Sequence, residues 1–282
     1  MRAFCSGCWR RSGAKNLSGR RKSLILEHSI ARSPGTEMLR LLSFIAFLAT
    51  WWGAALFTGE QKLPPPPAVL TAIVAEASSG ALFFNLGVTL ARVALAFTLA
   101  MTSGAAIGYL MGRVRVADRL GDPWLILLLN LPALVVIVLA YIWAGLTEVA
   151  AIAAIAINKL PVAVVTVREG TRALDAALDE MTAVFAIPRL KAFRHVILPQ
   201  LAPYIAAAAR SGLALVWKIV LVAELLGRPN GVGFEIGVAF QLFDIPLLLA
   251  YSLTFAAVVL VIETVLIQPF ETRLSKWRPR AA

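Results

Sequence analysis

The stretch PWLILLLNLPALVVIVLAYIWAGLT, residues 123–147, contains no charged side chain and is long enough to cross a bilayer as a helix. Three further uncharged stretches, residues 41–57, 93–112 and 245–262, approach or reach a length of about 20 residues. The whole chain is 59% hydrophobic and 15% charged, whereas soluble domains carry about 25% charged residues. These values predict an all-α membrane protein, and they exclude soluble enzymes and nucleic-acid-binding domains.

Two more apolar stretches are interrupted by isolated charges: Lys159 in residues 149–167, and Arg210 and Lys218 in residues 201–223. Six spans are therefore predicted, at about residues 40–58, 83–112, 122–146, 149–167, 200–226 and 245–270. Residues 1–37 are basic and predict a disordered tail, so the transmembrane domain covers residues 38–282. Met38, directly before the first span, is an alternative start of the chain.

Positive charge is distributed unevenly along the chain. If the N-terminus is cytoplasmic, 21 of the 27 Lys and Arg residues fall in cytoplasmic segments, two in outer loops and four at membrane depth. Basic residues are concentrated in the cytoplasmic loops of membrane proteins. The distribution predicts that both termini are cytoplasmic, and it accounts for the net charge of +11 without a nucleic-acid partner.

Prolines and glycines predict where the helices break and where they approach closely. Residues 63–67 predict a stiff extended segment, and residues 68–79 a short helix outside the membrane. Residues 113–121 predict a tight basic turn, and Pro132 a kink or break in the third span. Three glycines at four-residue spacing predict a close helix contact, within one subunit or across an interface: Gly104, Gly108 and Gly112.

The longest internal loop, residues 168–199, has the composition of helices. Apolar residues recur every three or four positions over residues 171–186, which predicts an amphipathic helix ending before Pro188. Residues 190–198 predict a second short helix. An amphipathic helix between two spans needs a partner for its apolar face, either a protein or the surface of the inner leaflet.

This loop resembles the "EAA loop" of ABC importer permeases, whose pattern is Glu-Ala-Ala-x3-Gly-x9-Ile-x-Leu-Pro. Glu180 begins the match and Leu198-Pro199 ends it, with the family spacing throughout. Four residues depart from the pattern: Met181 and Thr182 replace alanines, Ala186 replaces the glycine, and Val196 replaces isoleucine. Glycine alone adopts a left-handed turn without a side-chain cost, so Ala186 is the departure of most consequence.

The chain is most similar to the nitrate, sulfonate and taurine group of these permeases. The resemblance extends over most of the chain after Met38, and Val138 departs from it where a second proline is expected in the third span. The similar segments are Leu63-Pro64, Thr89-Leu90-x-Arg92, residues 143–148, Ala223-Glu224, residues 231–233 and residues 274–277.

The resemblance implies a transporter in the inner (plasma) membrane, built from two copies of the permease in contact with lipid. It also implies two partners: a separate ATP-binding subunit, and an extracytoplasmic binding protein that delivers the substrate. In this arrangement Met181 and Phe185 anchor the loop helix in a cleft of the ATPase, and Glu180 makes a polar contact at its edge. The residues expected at or near this contact are Glu180, Met181, Thr182, Phe185, Ala186, Leu198 and Pro199.

Cations at membrane depth predict an anionic substrate, because buried charges usually face a cavity or a partner. Arg210, Lys218 and Arg92 are the candidate pathway residues. The alternatives are structural pairing with Glu224 or Glu263, and extension of Lys159 or Arg92 to the nearest interface.

The sequence contains no phosphate-binding Gly-x4-Gly-Lys-Ser/Thr motif and no catalytic motif, so we expect no enzymatic activity and no cofactor. Cys5 and Cys8 are too few for a zinc site, and the two histidines are distant in sequence. The competing interpretation is a stand-alone secondary transporter or channel, which predicts inverted repeats that are not found. A membrane-embedded enzyme is a third class.

Overall fold

The computed structural model describes residues 34–59 and 62–267, and this part of the chain contains helices and no strand. The chain divides into two compact units, residues 1–66 and 67–282. The α-helices are α1 Pro34–Thr58, α2 Pro66–Ser78, α3 Ala81–Arg113, α4 Arg115–Asn130, α5 Ala133–Ala144, α6 Glu148–Arg172, α7 Ala176–Val184, α8 Arg189–Ala192, α9 Leu198–Gly227, α10 Val232–Leu242 and α11 Ile245–Ile262.

The first unit contributes α1, which begins within the predicted tail. Its segment Leu41–Thr58 is long and apolar enough to span a membrane. Most of its large apolar side chains are more than half exposed, Phe44 and Ile45 among them at 61%. A helix that exposes apolar residues in this way is suited to contact with lipid. Residues 1–33, which make up most of the predicted tail, lie outside the described residues.

In the second unit, four helical segments are long and apolar enough to span a membrane, and α4 and α5 together form a bent fifth. The four are α3, α6, Arg189–Gly227, which includes α9, and Ile245–Val265, which includes α11. With α1, the described residues thus hold five candidate spans, or six if the bent pair counts as one. The prediction of an all-α protein with about six spans is confirmed.

Helices α3 and α6 run parallel and in close contact, because glycines on α3 leave room for the other backbone. A Cβ atom would lie 2.7 Å from Ala163 Cβ at Gly104, and 2.6 Å from the Val164 carbonyl oxygen at Gly108. At Gly112 it would lie 2.4 Å from Cβ of Thr171. Helix α9 packs antiparallel against α6, with Gly170 under the ring of Tyr204. Of the two predicted uses of these α3 glycines, contact within one subunit is the one observed.

The breaks in the third span and before α2 differ in detail from the predictions. The chain bends by 101° between α4 and α5, so Pro132 breaks the span as expected. The predicted basic turn at residues 113–121 is wrong, because only Val114 separates α3 from α4. Pro66 and Pro67 belong to the first turn of α2, where the missing proline N–H is not needed for a hydrogen bond. The predicted extended segment at residues 63–67 is therefore wrong in its second half.

The helix predicted at residues 171–186 is also divided. Helix α6 continues to Arg172, and α7 begins only at Ala176. Asp175 separates them as the N-cap of α7, since its carboxylate accepts a hydrogen bond of 2.9 Å from the Ala177 backbone. The Asp175 backbone N–H donates in turn to Gln200 Oε1 on α9 at 3.1 Å.

The second predicted short helix does not end at Pro199. Arg189–Gly227 is one continuous helical segment of 39 residues. A π-helical turn at Phe193–Ile197 joins α8 to α9, and Pro199 lies in the first turn of α9. Because the π turn shifts the hydrogen-bond pattern just before this proline, the helix accommodates it without a break.

Candidate functional site

The turn after α7 contains Ala186, one of the residues predicted to contact the ATPase. Ala186 has a φ of +46°, in the left-handed region. The Ile187 N–H donates to the Thr182 carbonyl at 3.0 Å, and the Ala186 N–H to the Ala183 carbonyl at 3.1 Å. This pair of hydrogen bonds defines a Schellman motif, which usually places glycine at the left-handed position. The left-handed conformation therefore explains why the family pattern has glycine at this position. Ala186 adopts the same conformation although it carries a side chain.

Ala186→Gly is expected to stabilise this turn by about 1 kcal/mol, because glycine has no Cβ to clash in the left-handed conformation. Slower amide hydrogen exchange at Ile187, whose N–H donates to the Thr182 carbonyl, measures the effect. The matched control is Ala183→Gly, which lies inside α7 and should weaken the helix by about the same amount. Faster exchange in Ala186→Gly would contradict the interpretation.

The surface of α7 and its cap exposes large apolar side chains. Val184 is 81% exposed, Phe185 73% and Met181 37%, and Leu190 of the neighbouring α8 is 79% exposed. Glu180 is also exposed. The structure thus brings together Glu180 to Ala186 of the predicted contact set on one short element. Leu198 and Pro199, which are also exposed, begin α9 and belong to a separate element.

Helix α7 is tied to the C-terminal end of α3 by an ion pair that the sequence analysis missed. The Arg113 guanidinium donates two hydrogen bonds to the Asp179 carboxylate, one of them 3.1 Å long. This hydrogen bonding lowers the pKa of Asp179, so the carboxylate stays charged at neutral pH. Arg113 also lies 5.7 Å from the ring of Tyr109, which packs edge-on against Phe193 at 5.6 Å.

At the N-terminal end of α3, Arg92 is the centre of a buried ionic cluster. It is 3% exposed and donates to Glu224 at 2.7 Å and to both carboxylate oxygens of Glu148 at 2.7 and 2.9 Å. Its remaining donors bind the backbone and side-chain oxygens of Asn230. Arg228 pairs with the same Glu148 carboxylate. We call these five residues the Arg92 cluster.

Glu224 is 1% exposed, and its carboxylate is held by backbone and hydroxyl groups as well as by Arg92. Thr89 Oγ1 and the Gly233 N–H each donate to it at 2.9 Å. Gly231 has a φ of +107°, and a Cβ there would lie 2.5 Å from the carboxyl carbon. The Ala-Glu and Gly-x-Gly segments of the resemblance are therefore one structural unit: the glycines admit the carboxylate that binds Arg92.

The four cations predicted at membrane depth occupy different environments. Arg210 and Lys218 lie on the exposed face of α9. Arg92 is buried and paired with Glu224, as the structural alternative anticipated for such a cation. Lys159 is 1% exposed and lies against Gly212 of α9, so the expectation that it extends to an interface is wrong. Among the described residues, no group of three or more His, Cys, Asp or Glu residues could hold a metal ion.

The described residues form a bundle of apolar helices, with the Arg92 cluster at one end and the exposed apolar surface of α7 at the other, and this is the architecture of a multi-pass membrane protein. Residues 100–268 match the family described as binding-protein-dependent transport system inner membrane component. The chain belongs to this family of transport proteins.

Named relatives agree with the family. A Brucella abortus protein whose name describes an ABC transporter permease is 30% identical over 86% of this chain and 96% of its own length. A Bacillus subtilis protein named for aliphatic sulfonates transport, SsuC, is 30% identical over 89% of this chain and 92% of its own. In fold, the chain is similar to a structure titled as the MetNI methionine ABC transporter, with a TM-score of 0.59 and 17% identity, covering 71% of this chain and 99% of that one.

Proposed function

We propose that this permease forms the translocation pathway of an importer for a small anion, as a homodimer driven by a separate ATPase. A binding protein on the outer side delivers the substrate. The observation that carries the proposal is the exposed apolar surface of α7, Val184 and Phe185 above all, next to a turn at the family's glycine position. A helix that exposes this much apolar area to the aqueous phase needs a protein partner.

The contacts of α7 suggest how the ATPase moves the spans. Asp179 links α7 to α3 through Arg113, and Asp175 links it to α9 through Gln200. A displacement of α7 by the ATPase would therefore be transmitted to two spanning helices at once. Closure of the ATPases around nucleotide would favour one of two arrangements of the spans, in the manner of a ligand-biased two-state equilibrium.

The exposed face of α9 supports the anionic substrate class. Arg210 and Lys218 are two turns apart on this face, about 12 Å along the helix. In the proposed dimer this face borders the pathway. Sulfonate, which the name of the Bacillus relative specifies, is one anion of this class, and nitrate is another. Taurine carries the same negatively charged sulfonate group, together with an ammonium group. The role of Arg92 in the pathway stays a prediction. Its pairing in the Arg92 cluster does not favour this role, because the guanidinium is already bound to carboxylates.

Co-purification tests the proposal against the competing one, a stand-alone transporter or channel. The ATPase encoded with this permease should stay bound in mild detergent, and the loaded binding protein should stimulate ATP hydrolysis in vesicles. If the permease instead moves anions in vesicles with no ATPase present, the stand-alone class is correct.

The proposed topology places both termini in the cytoplasm. A reporter fused after Lys276 should read as cytoplasmic, and one inserted beside Arg228 should read as external. Alkaline phosphatase and green fluorescent protein fusions measure the two sides independently. An external C-terminus would mean that the number of spans is odd.

A further inference from the structure

Lys159 has a buried amine and does not belong to the Arg92 cluster. It lies in the middle of α6, about 16 Å along the helix axis from Glu148. Its side chain is 1% exposed, and among the described residues its Nζ atom has no hydrogen-bond partner. Ionisable groups at this depth of a membrane are costly, and they mark substrate pathways more often than structural contacts.

The amine rests in a notch that only glycine can provide. A Cβ atom at Gly212 would lie 1.7 Å from Cε and 2.2 Å from Nζ of Lys159. The amine is therefore in direct contact with the backbone of α9. Gly212 lies between Arg210 and Lys218, so α9 carries two cations and contacts a third within residues 210–218. Arg210 and Lys218 are on its exposed face, whereas Lys159 contacts its buried face at Gly212.

We propose that Lys159 binds the negatively charged group of the substrate as it passes the middle of the membrane. Gly212 lies on the buried face of α9, where the missing side chain lets the amine pack against the helix backbone. The inference rests on the proposed function. It identifies Lys159 as the residue that would select an anion at the middle of the membrane. A lysine suits a small monovalent anion, because an ammonium group is a compact charge with three donors.

The described conformation seals the amine from solvent, so anion binding requires α6 and α9 to shift against each other. An anion that pairs with the exposed amine favours the shifted state, and a neutral analogue of the same shape gains nothing from it. A purely structural lysine would need a partner, and removing an unpaired buried amine should stabilise the protein or leave it unchanged. Stability and transport are therefore expected to respond in different ways.

The test uses the complete complex of permease and ATPase in vesicles, with the binding protein and with methanesulfonate, taurine, nitrate or bicarbonate as the probe. The variants are Lys159→Met, Lys159→Arg and Gly212→Ala. Gly87→Ala is the matched control, since a Cβ at this glycine of α3 meets no atom within 4 Å. Uptake, ATP hydrolysis and the thermal midpoint of the complex are measured for each.

Lys159→Met is expected to reduce the maximal rate of uptake at least about tenfold, the size of a lost charge-assisted hydrogen bond. Its thermal midpoint should equal or exceed that of the wild type. Gly212→Ala should reduce uptake as strongly, because the new methyl group displaces the lysine. Lys159→Arg should retain part of the uptake, and Gly87→Ala all of it.

Three outcomes would overturn the inference, and they are distinguishable. Uptake by Lys159→Met within about twofold of the wild type would show that the amine does not bind the anion. Loss of uptake in proportion to loss of folded complex would assign Lys159 a structural role. A wild-type complex whose ATP hydrolysis responds to the binding protein but which transports none of the four probes would contradict the proposed substrate class itself.

Discussion

Arg92→Met is expected to destabilise the permease by about 3–5 kcal/mol, because it leaves the Glu224 carboxylate buried without its cation. Glu224 is 1% exposed, so water cannot replace the guanidinium. The thermal midpoint of the detergent-solubilised protein, followed by size-exclusion chromatography, measures the loss. We expect little folded protein at 37 °C, since this loss is a large fraction of the stability of a typical domain.

The matched control is Arg113→Met at the other end of the same helix. Arg113 and Asp179 are about one-third exposed, so their pair is screened by solvent and contributes little. A double variant, Arg92→Met with Glu224→Leu, removes both buried charges and should recover part of the lost stability. Equal losses in Arg92→Met and Arg113→Met would show that burial of the cluster does not matter.

Phe185→Ala is expected to uncouple the permease from its ATPase. In the proposed contact the ring buries apolar area worth about 1.5–3 kcal/mol, so the affinity for the ATPase should fall about ten- to a hundredfold. Stimulation of ATP hydrolysis by the loaded binding protein should be lost, while the isolated ATPase stays active. Expression and membrane insertion should remain near normal, because the ring is already 73% exposed in the permease alone.

Two controls make this result specific. Phe83→Ala removes a ring that is 67% exposed on α3, far from α7 in sequence, and should leave stimulation intact. Glu180→Ala removes a solvent-screened contact of about 0–1 kcal/mol and should weaken retention of the ATPase only slightly. Met181→Ala should resemble Phe185→Ala. Full stimulation in both Phe185→Ala and Met181→Ala would exclude α7 as the transmitting element.

Hydropathy predicted the spans well because their length and apolarity are set by the bilayer itself. The residues that join the spans were harder to foresee. Arg92 was noted as a charge at membrane depth, but its binding to Glu148 and Glu224 depends on which helices are neighbours. No local sequence pattern encodes which helices are neighbours. The Gly-x-Gly at residues 231–233 does indicate a close contact once it is considered together with Glu224.

For α7, the spacing of the family pattern predicted the position of the helix but not the residue at which it begins. The helical periodicity of residues 171–186 is continuous, and only the capping by Asp175 divides it. Asp179 binds Arg113 from another helix, and the periodicity of residues 171–186 contains no sign of this pairing. The left-handed turn at Ala186 could be anticipated, since the family pattern has glycine there.

The continuity of Arg189–Gly227 restricts how this permease can move. A helix of 39 residues is about 58 Å long, and its π turn and Pro203 both lie before its midpoint. Glu224, in the Arg92 cluster, and Gln200, bonded to the residue that caps α7, lie on this one rod. A rod without a central hinge tilts as a whole, so a small rotation about its middle moves the two ends in opposite directions. Opening on one side of the membrane and closing on the other would then be a single motion, with the contact of Lys159 and Gly212 close to its pivot.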